Sequence, residues 1–356
     1  MAHSRAFALV ELVVVIAIAA VLLALCLPAI ERNRRQASIK GDLARLRLIS
    51  QASAVYSTDF QDRLFTFSWR PGEVPVTPNA QLAASCAQLL GNSGQDDTRA
   101  ALYQQLDLVT QMSDYRLIQP TITMTPQAHA PYFLFSHLVL AYHMGEGVPS
   151  EVFVSHADAS RNYWIENTEE YLLDPHGSPY PSPNASPDFR DQWRWPFSST
   201  FSLGPSHFSN DSAPPNTVGR SITHQSIYFM PSQSGVLARR QMTEVAHPSM
   251  KVMMYDDYDR YSGPTKQYFA LPGASTLVNF YDGHAERVLT ESANLGFNPN
   301  HPDSGGITTY FYKPSKRWDS PGSLDTRVPV YFDQTRDGLQ GVDFPALRSP
   351  RPVLSR

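Results

Sequence analysis

Cysteine is almost absent from this sequence, with two in 356 residues. Cys26 lies inside an apolar run and Cys86 beyond it, so a bond between them would join environments that geometry keeps apart. A cysteine-based metal cluster is excluded, and the cysteines say nothing about the redox compartment. Excess charge of either sign is also lacking. The formal net charge is −4 with 17% charged residues, which gives no general attraction to nucleic acid. No GxSxG, HExxH, P-loop or EF-hand spacing occurs, and the eleven histidines stand singly. His143, His156 and His284 fall near expected element ends without forming a ligand pattern. No cofactor is expected, and no enzymatic activity.

Long hydrophobic runs are missing everywhere except at the N-terminus. Ala6 to Ile30 reads AFALVELVVVIAIAAVLLALCLPAI, with Glu11 as its single charge. At about 1.5 Å per residue this stretch is long enough for a ~30 Å hydrocarbon core. A cleavable secretory signal has a shorter apolar region and a small-residue cleavage site, whereas Pro28, Glu31 and a run of arginines follow here. A retained membrane helix is the better reading. A carboxylate at membrane depth costs about 2.5–3.5 kcal/mol near a helix centre, so Glu11 either snorkels to the interface or has a partner.

Phe7-Ala8-Leu9-Val10-Glu11 and the apolar run behind it resemble the prepilin signal of type IV pilins and type II secretion pseudopilins. Counting Phe7 as the first mature residue, Glu11 is fifth and Pro28 twenty-second, both positions that the family favours. The resemblance implies a leader at residues 1–6, cleavage between Ala6 and Phe7 by a prepilin peptidase, and N-methylation of Phe7. It departs from the family at Ala6, where glycine is usual. It also implies that Glu11 pairs with the Phe7 amine of a neighbouring subunit and so sets register. Arg32, Arg34 and Arg35 follow the helix and only Arg5 precedes it, which by charge alone would place the C-terminal side in the cytoplasm. The leader motif is the more specific signal, and it places the head outside.

Beyond the apolar run, Ile39, Leu43, Leu46, Ile49 and Ser53 or Tyr56 recur at helical spacing, with Lys40, Asp42, Arg45 and Arg47 assigned to other faces. Pro28 is expected to kink this helix or to end its first part. Helices are expected at Asn79–Gly91 and Arg99–Gln111, a helix or buried strand at Pro131–Met144, and a short strand at Glu151–Ser155. The Pro-rich stretch 174–216 reads as an ordered loop whose Trp193 and Trp195 either pack or offer a stacking surface. Lys251–Tyr255 reads as a strand. Thr276–Leu289 reads as a hairpin about a type I′ turn at Asp282-Gly283, with Leu277, Asn279 and Tyr281 on one face. Asp256, Asp257 and Asp259 near Asp282 and His284 could bind a cation, but aspartates at strand ends more commonly cap turns. TTYFY and VPVYF near the C-terminus suggest an edge strand or two.

The hairpin NFYDGHAERV, with its motif residues Asp282, Gly283 and His284, resembles the signature of the large DG-motif pseudopilin-like proteins of Planctomycetes and Verrucomicrobia, as does LISQASAVYSTDFQDRL (residues 48–64) at the end of the long helix. That motif has a histidine where this chain has Pro272, and cysteines where it has Ile39 and Ser155.

The expected fold class is α+β: a long N-terminal membrane-spanning helix packed on an extracytoplasmic head with an antiparallel sheet. The divisions are a leader at 1–6, a helix at 7–57 with its membrane part at about 7–30, a head at 58–300, and strands and tail at 301–356. The resemblance implies a structural subunit of a type II secretion-like or type IV pilus-like assembly in the bacterial inner membrane. Its partners would be prepilin peptidase, sibling pilin or pseudopilin subunits, the inner-membrane assembly platform and membrane lipid, with no nucleic acid. The alternative is an anchored ectodomain that binds a ligand such as a glycan and does not polymerise.

Overall fold

The computed structural model describes residues 9–92, 94–113, 133–174, 177–180, 195–209, 219–220, 228–229, 237, 239–298, 306–312 and 326–345. Helix α1 runs from Leu9 to Asp59, 51 residues, or ~76 Å at ~1.5 Å per residue. It continues through Pro28 instead of ending there. Proline removes one intrahelical bond, and the uninterrupted turns on both sides outweigh that loss. The second half of α1 carries Ile39, Leu46, Ile49 and Tyr56 into the core of the head.

Four of the remaining helices are short. Asn79 caps α2 (Ala80–Ala87) by accepting the Leu82 amide at 3.1 Å. α3 (Gly94–Met112) covers the helix expected at 99–111. The apolar stretch 131–144 resolves into a 3-10 turn at Phe133–Phe135 and α4 (Leu138–Met144), closed by Gly145 at φ 71°. The strand expected at Glu151–Ser155 is instead a 3-10 turn at Glu151–Phe153. Ser150 decides this, because its hydroxyl accepts the Val152 amide at 3.3 Å and starts the turn. α5 (Ala159–Glu166), capped by Asp158, and α6 (Thr168–Leu173) follow.

Strand β1 (Phe201–Leu203) precedes a short ladder of β2 (Gly219–Arg220) and β3 (Tyr228–Phe229). Next come β4 (Val252–Asp256), the pair β5 (Tyr258–Asp259) and β6 (Gln267–Tyr268), and the hairpin of β7 (Ser275–Phe280) and β8 (Ala285–Leu289). β9 (Thr309–Phe311) and β10 (Arg327–Pro329) form a separate two-stranded ribbon. The central sheet is antiparallel in the order β1-β4-β7-β8.

Both faces of this sheet are buried. Leu277, Tyr281 and Ala285 join the core under α1, while Val252, Tyr255, Val278, Phe280 and Val288 face a second, aromatic core. The C-terminal segment supplies much of that second layer: Phe332 meets Tyr255 with ring centroids 4.9 Å apart, and Tyr312 stacks on Tyr268 at 4.3 Å. A bulge at Met253 breaks the β4–β7 register between Val252 and Met254. It allows Met253 and Met254, neighbours in sequence, to join the same core under α1. The protein is thus α+β, a long apolar helix laid against a four-stranded antiparallel sheet.

Candidate functional site

The helix itself is the most unusual surface of the molecule. From Leu12 to Ala37 its side chains are exposed. Among them Leu12, Ile16, Val21, Leu23, Leu25 and Leu27 are all at least half exposed. The most apolar window of this helix has a mean hydropathy of 3.1 and none of it is buried in the head. Water would penalise such a surface at about 25 cal/mol per Å², so its natural surrounding is apolar. By length and composition it can cross a membrane.

The seat of the helix on the head begins at Ile39 and turns on a buried carboxylate. Asp42 is fully enclosed. Its oxygens accept the Ser155 hydroxyl, the Tyr261 hydroxyl and the His156 amide, the last at 2.9 Å, and one oxygen lies 2.6 Å from His156 Nδ1. Arg45 stands 3.9 Å away and donates to the Val154 carbonyl. Gly41 gives His156 its space, since a Cβ there would lie 2.7 Å from the ring. The sequence reading placed Asp42 on an outer face, and the structure corrects this. The signal was present: Ile39, Asp42, Leu46, Ile49, Ser53 and Tyr56 follow a strict three-four alternation, so Asp42 interrupts the buried stripe. Ser155, where the resemblance expects a cysteine, is held to the helix through this same carboxylate.

The DG hairpin forms the other side of the seat. Asn279 on β7 donates to the Leu46 carbonyl at 3.0 Å and to Ser50 Oγ at 2.8 Å, and accepts the Met254 amide at 2.8 Å. One side chain therefore clamps helix, bulge and hairpin. At the tip, Gly283 is the residue with positive φ (93°), and its amide donates to the Phe280 carbonyl at 3.0 Å. Phe280 also donates to His284, so the tip is a three-residue loop ending in a left-handed glycine, not the two-residue type I′ turn expected. The reason is local. Asp282 accepts the His284 amide at 3.1 Å, and the His284 ring stacks on Phe280 at 4.1 Å. Positive φ at both positions of an Asp-Gly pair occurs instead at Asp337-Gly338.

The acidic cluster does not converge. Asp256 pairs with Arg260 at 2.7 Å, Asp257 accepts the Ser202 hydroxyl at 3.0 Å, and Asp259 accepts the amides of Tyr261, Ser262 and Ser275. Sequence reasoning missed the partner that organises this region. Asp158 caps α5 and binds both Arg161 (2.7 Å) and Arg260 (3.0 Å). The two guanidiniums hold its carboxyl well below the usual range against the opposing effect of burial. Asp256, one Arg260 contact further on, is pushed up to about 7 by burial, with Asp158 adding to the rise.

Trp195 is buried beside Trp164, ring centroids 6.3 Å apart, and belongs to the core under α1. It is a packing residue and offers no face for stacking a ligand; Trp193 lies outside the described residues. His143 lies 3.4 Å from Asp59 at the end of α1, His156 serves the Asp42 seat and His284 the hairpin tip, so the three are not brought together. Ala6 and Phe7 lie outside the described residues, and of Glu11 the structure describes only a backbone position in the first turn of α1.

No family model, curated protein or solved structure matches the chain. What the geometry defines is a pilin-like architecture. A single continuous helix is free-standing and apolar in one half, and fixed to an antiparallel sheet in the other.

Proposed function

We propose that this protein is a structural pilin-like or pseudopilin subunit, anchored in the bacterial inner membrane with its head outside the cytoplasm. The observation that supports this reading is the unbroken α1, whose exposed apolar half runs on as one helix into the half seated on the sheet. A flexible linker would let an anchored head tumble, whereas a continuous helix couples the position of the head to that of the apolar segment. Such coupling suits a subunit whose helices must stack in register. On this reading prepilin peptidase cuts between Ala6 and Phe7 and methylates Phe7. Glu11 pairs with the Phe7 amine of a neighbouring subunit, and sibling subunits and an inner-membrane assembly platform are the partners. The role needs no cofactor, nucleic acid or catalytic step.

Mass spectrometry of the mature N-terminus tests the processing step. The expected result is N-methyl-Phe7 as the first residue; a chain that retains Met1 or Ala2 overturns it.

A further inference from the structure

We infer that Arg32, Arg34 and Arg35 form a basic face that binds the phosphates of anionic phospholipids on the head side of the membrane. The inference rests on the membrane-spanning reading of α1. The exposed apolar stretch from Leu12 to Ile30 is ~28 Å long at ~1.5 Å per residue, close to the ~30 Å of a hydrocarbon core. The arginines begin two residues after it, so a helix that fills the core places them at the headgroups. Arg32 to Arg35 spans only ~4.5 Å along the axis, and at ~100° per residue the three positions fall within an arc of ~160°, so the guanidiniums share one side of the helix at nearly one depth. All three are exposed, and none forms an ion pair or hydrogen bond among the described residues. The head begins to cover the helix only at Ile39. Glu31 offsets one of the three charges, and no other acidic side chain occurs between it and the buried Asp42.

The chemistry selects the occupant. Guanidinium is always charged, presents a planar fork that matches two phosphate oxygens, and is weakly hydrated compared with ammonium. A zwitterionic headgroup brings its own cation to the same depth, whereas an anionic lipid leaves the phosphate uncompensated. Charge complementarity and continuity with the apolar span therefore point to anionic phospholipid, not to a soluble anion.

The test uses the full chain in bilayers. Cys26 is exposed on the apolar part of α1 and Cys86 is buried, so a thiol-reactive fluorophore reports from Cys26. Its quenching by brominated phosphatidylglycerol is compared with quenching by brominated phosphatidylcholine. The wild-type protein is expected to prefer phosphatidylglycerol by about fivefold or more at low salt, and the preference should shrink as salt rises. The triple variant Arg32→Gln/Arg34→Gln/Arg35→Gln is expected to be quenched equally by both. Equal quenching of the wild-type protein, or an undiminished preference in the variant, overturns the lipid-binding face alone. Quenching by neither lipid overturns both the lipid-binding face and the membrane anchor.

Discussion

Asp42 shows how one residue fixes the relation between helix and head. A carboxylate with no exposure is tolerated because its oxygens are bonded by two hydroxyls, an amide and an imidazole nitrogen. Removing it strands the Ser155 and Tyr261 hydroxyls and the His156 amide in the interior. Asp42→Ala is expected to destabilise the head by about 2–4 kcal/mol, read from urea unfolding of the full chain in detergent. Asp42→Asn, which keeps the volume and one acceptor oxygen, should cost less; equal losses would mean that the retained volume and oxygen contribute nothing and that the second oxygen and the charge carry the effect. Two buried histidines make a separate prediction. Burial pushes His137 and His207 down to about 3. In the unfolded chain each titrates near 6.5, so between about pH 6.5 and 3 the unfolded state binds more protons. Their contribution to stability is full above about pH 6.5 and is lost as the pH falls. Asp256, raised to about 7, acts in the opposite direction over an overlapping range. Comparing His137→Leu with the wild type isolates one histidine: the slope of unfolding free energy between pH 4 and 6 should drop by about one proton. An unchanged slope would show that His137 is protonated in the fold.

The β7–β8 hairpin is the element on which the sequence was most informative, and also where it needed most correction. Alternation of Leu277, Asn279 and Tyr281 assigned one face correctly, and the structure gives that face to α1. The turn type was out of reach, because Asp-Gly suits both a two-residue turn and the longer loop, and the His284 ring on Phe280 decides between them. Asn279 carries the joint between elements. Asn279→Ala leaves the Met254 amide without its partner and removes two bonds to α1. It should lower stability by about 2–3 kcal/mol and speed hydrogen exchange at Met254. Normal exchange there would show that the bulge holds without its side-chain partner. At Gly283, φ of 93° strains any residue with a Cβ. Gly283→Ala is expected to cost about 1 kcal/mol in the same unfolding assay.

For the whole molecule, continuity of α1 is the property that matters. Its apolar half has no cover in the head, and its other half is packed into the core and hydrogen-bonded to β7. On the proposed reading, this continuity would transmit the position of the anchor to the head. Glu11→Ala should therefore leave insertion and folding intact, measured by bilayer retention and protease resistance, and reduce co-assembly with sibling subunits in crosslinking. Undiminished co-assembly would remove Glu11 from the register mechanism. The burial of Trp195 weakens the rival picture of an anchored ligand-binding head, since half of its proposed stacking surface is core.

The sequence alone determined the anchor-like helix, its extension past the apolar run and the positions of α2, α3 and the hairpin, while it left α4 open between helix and strand and gave no sign of α5 or α6. What it did determine follows from local properties: run length, periodicity of three and four, caps such as Asn79, and alternation along strands. It could not determine where the polar groups go. Asp42, Asp158, Arg260 and Asn279 are charged or polar residues that composition assigns to the surface. Each is buried only because a partner more than two dozen residues away satisfies it. The strands expected at TTYFY and VPVYF form as β9 and β10, but their place was not legible: the tail's Phe332 and Phe344 roof the second face of the sheet. Burial and long-range pairing depend on which surfaces meet, and the chain settles that only when helix, hairpin and tail are assembled together.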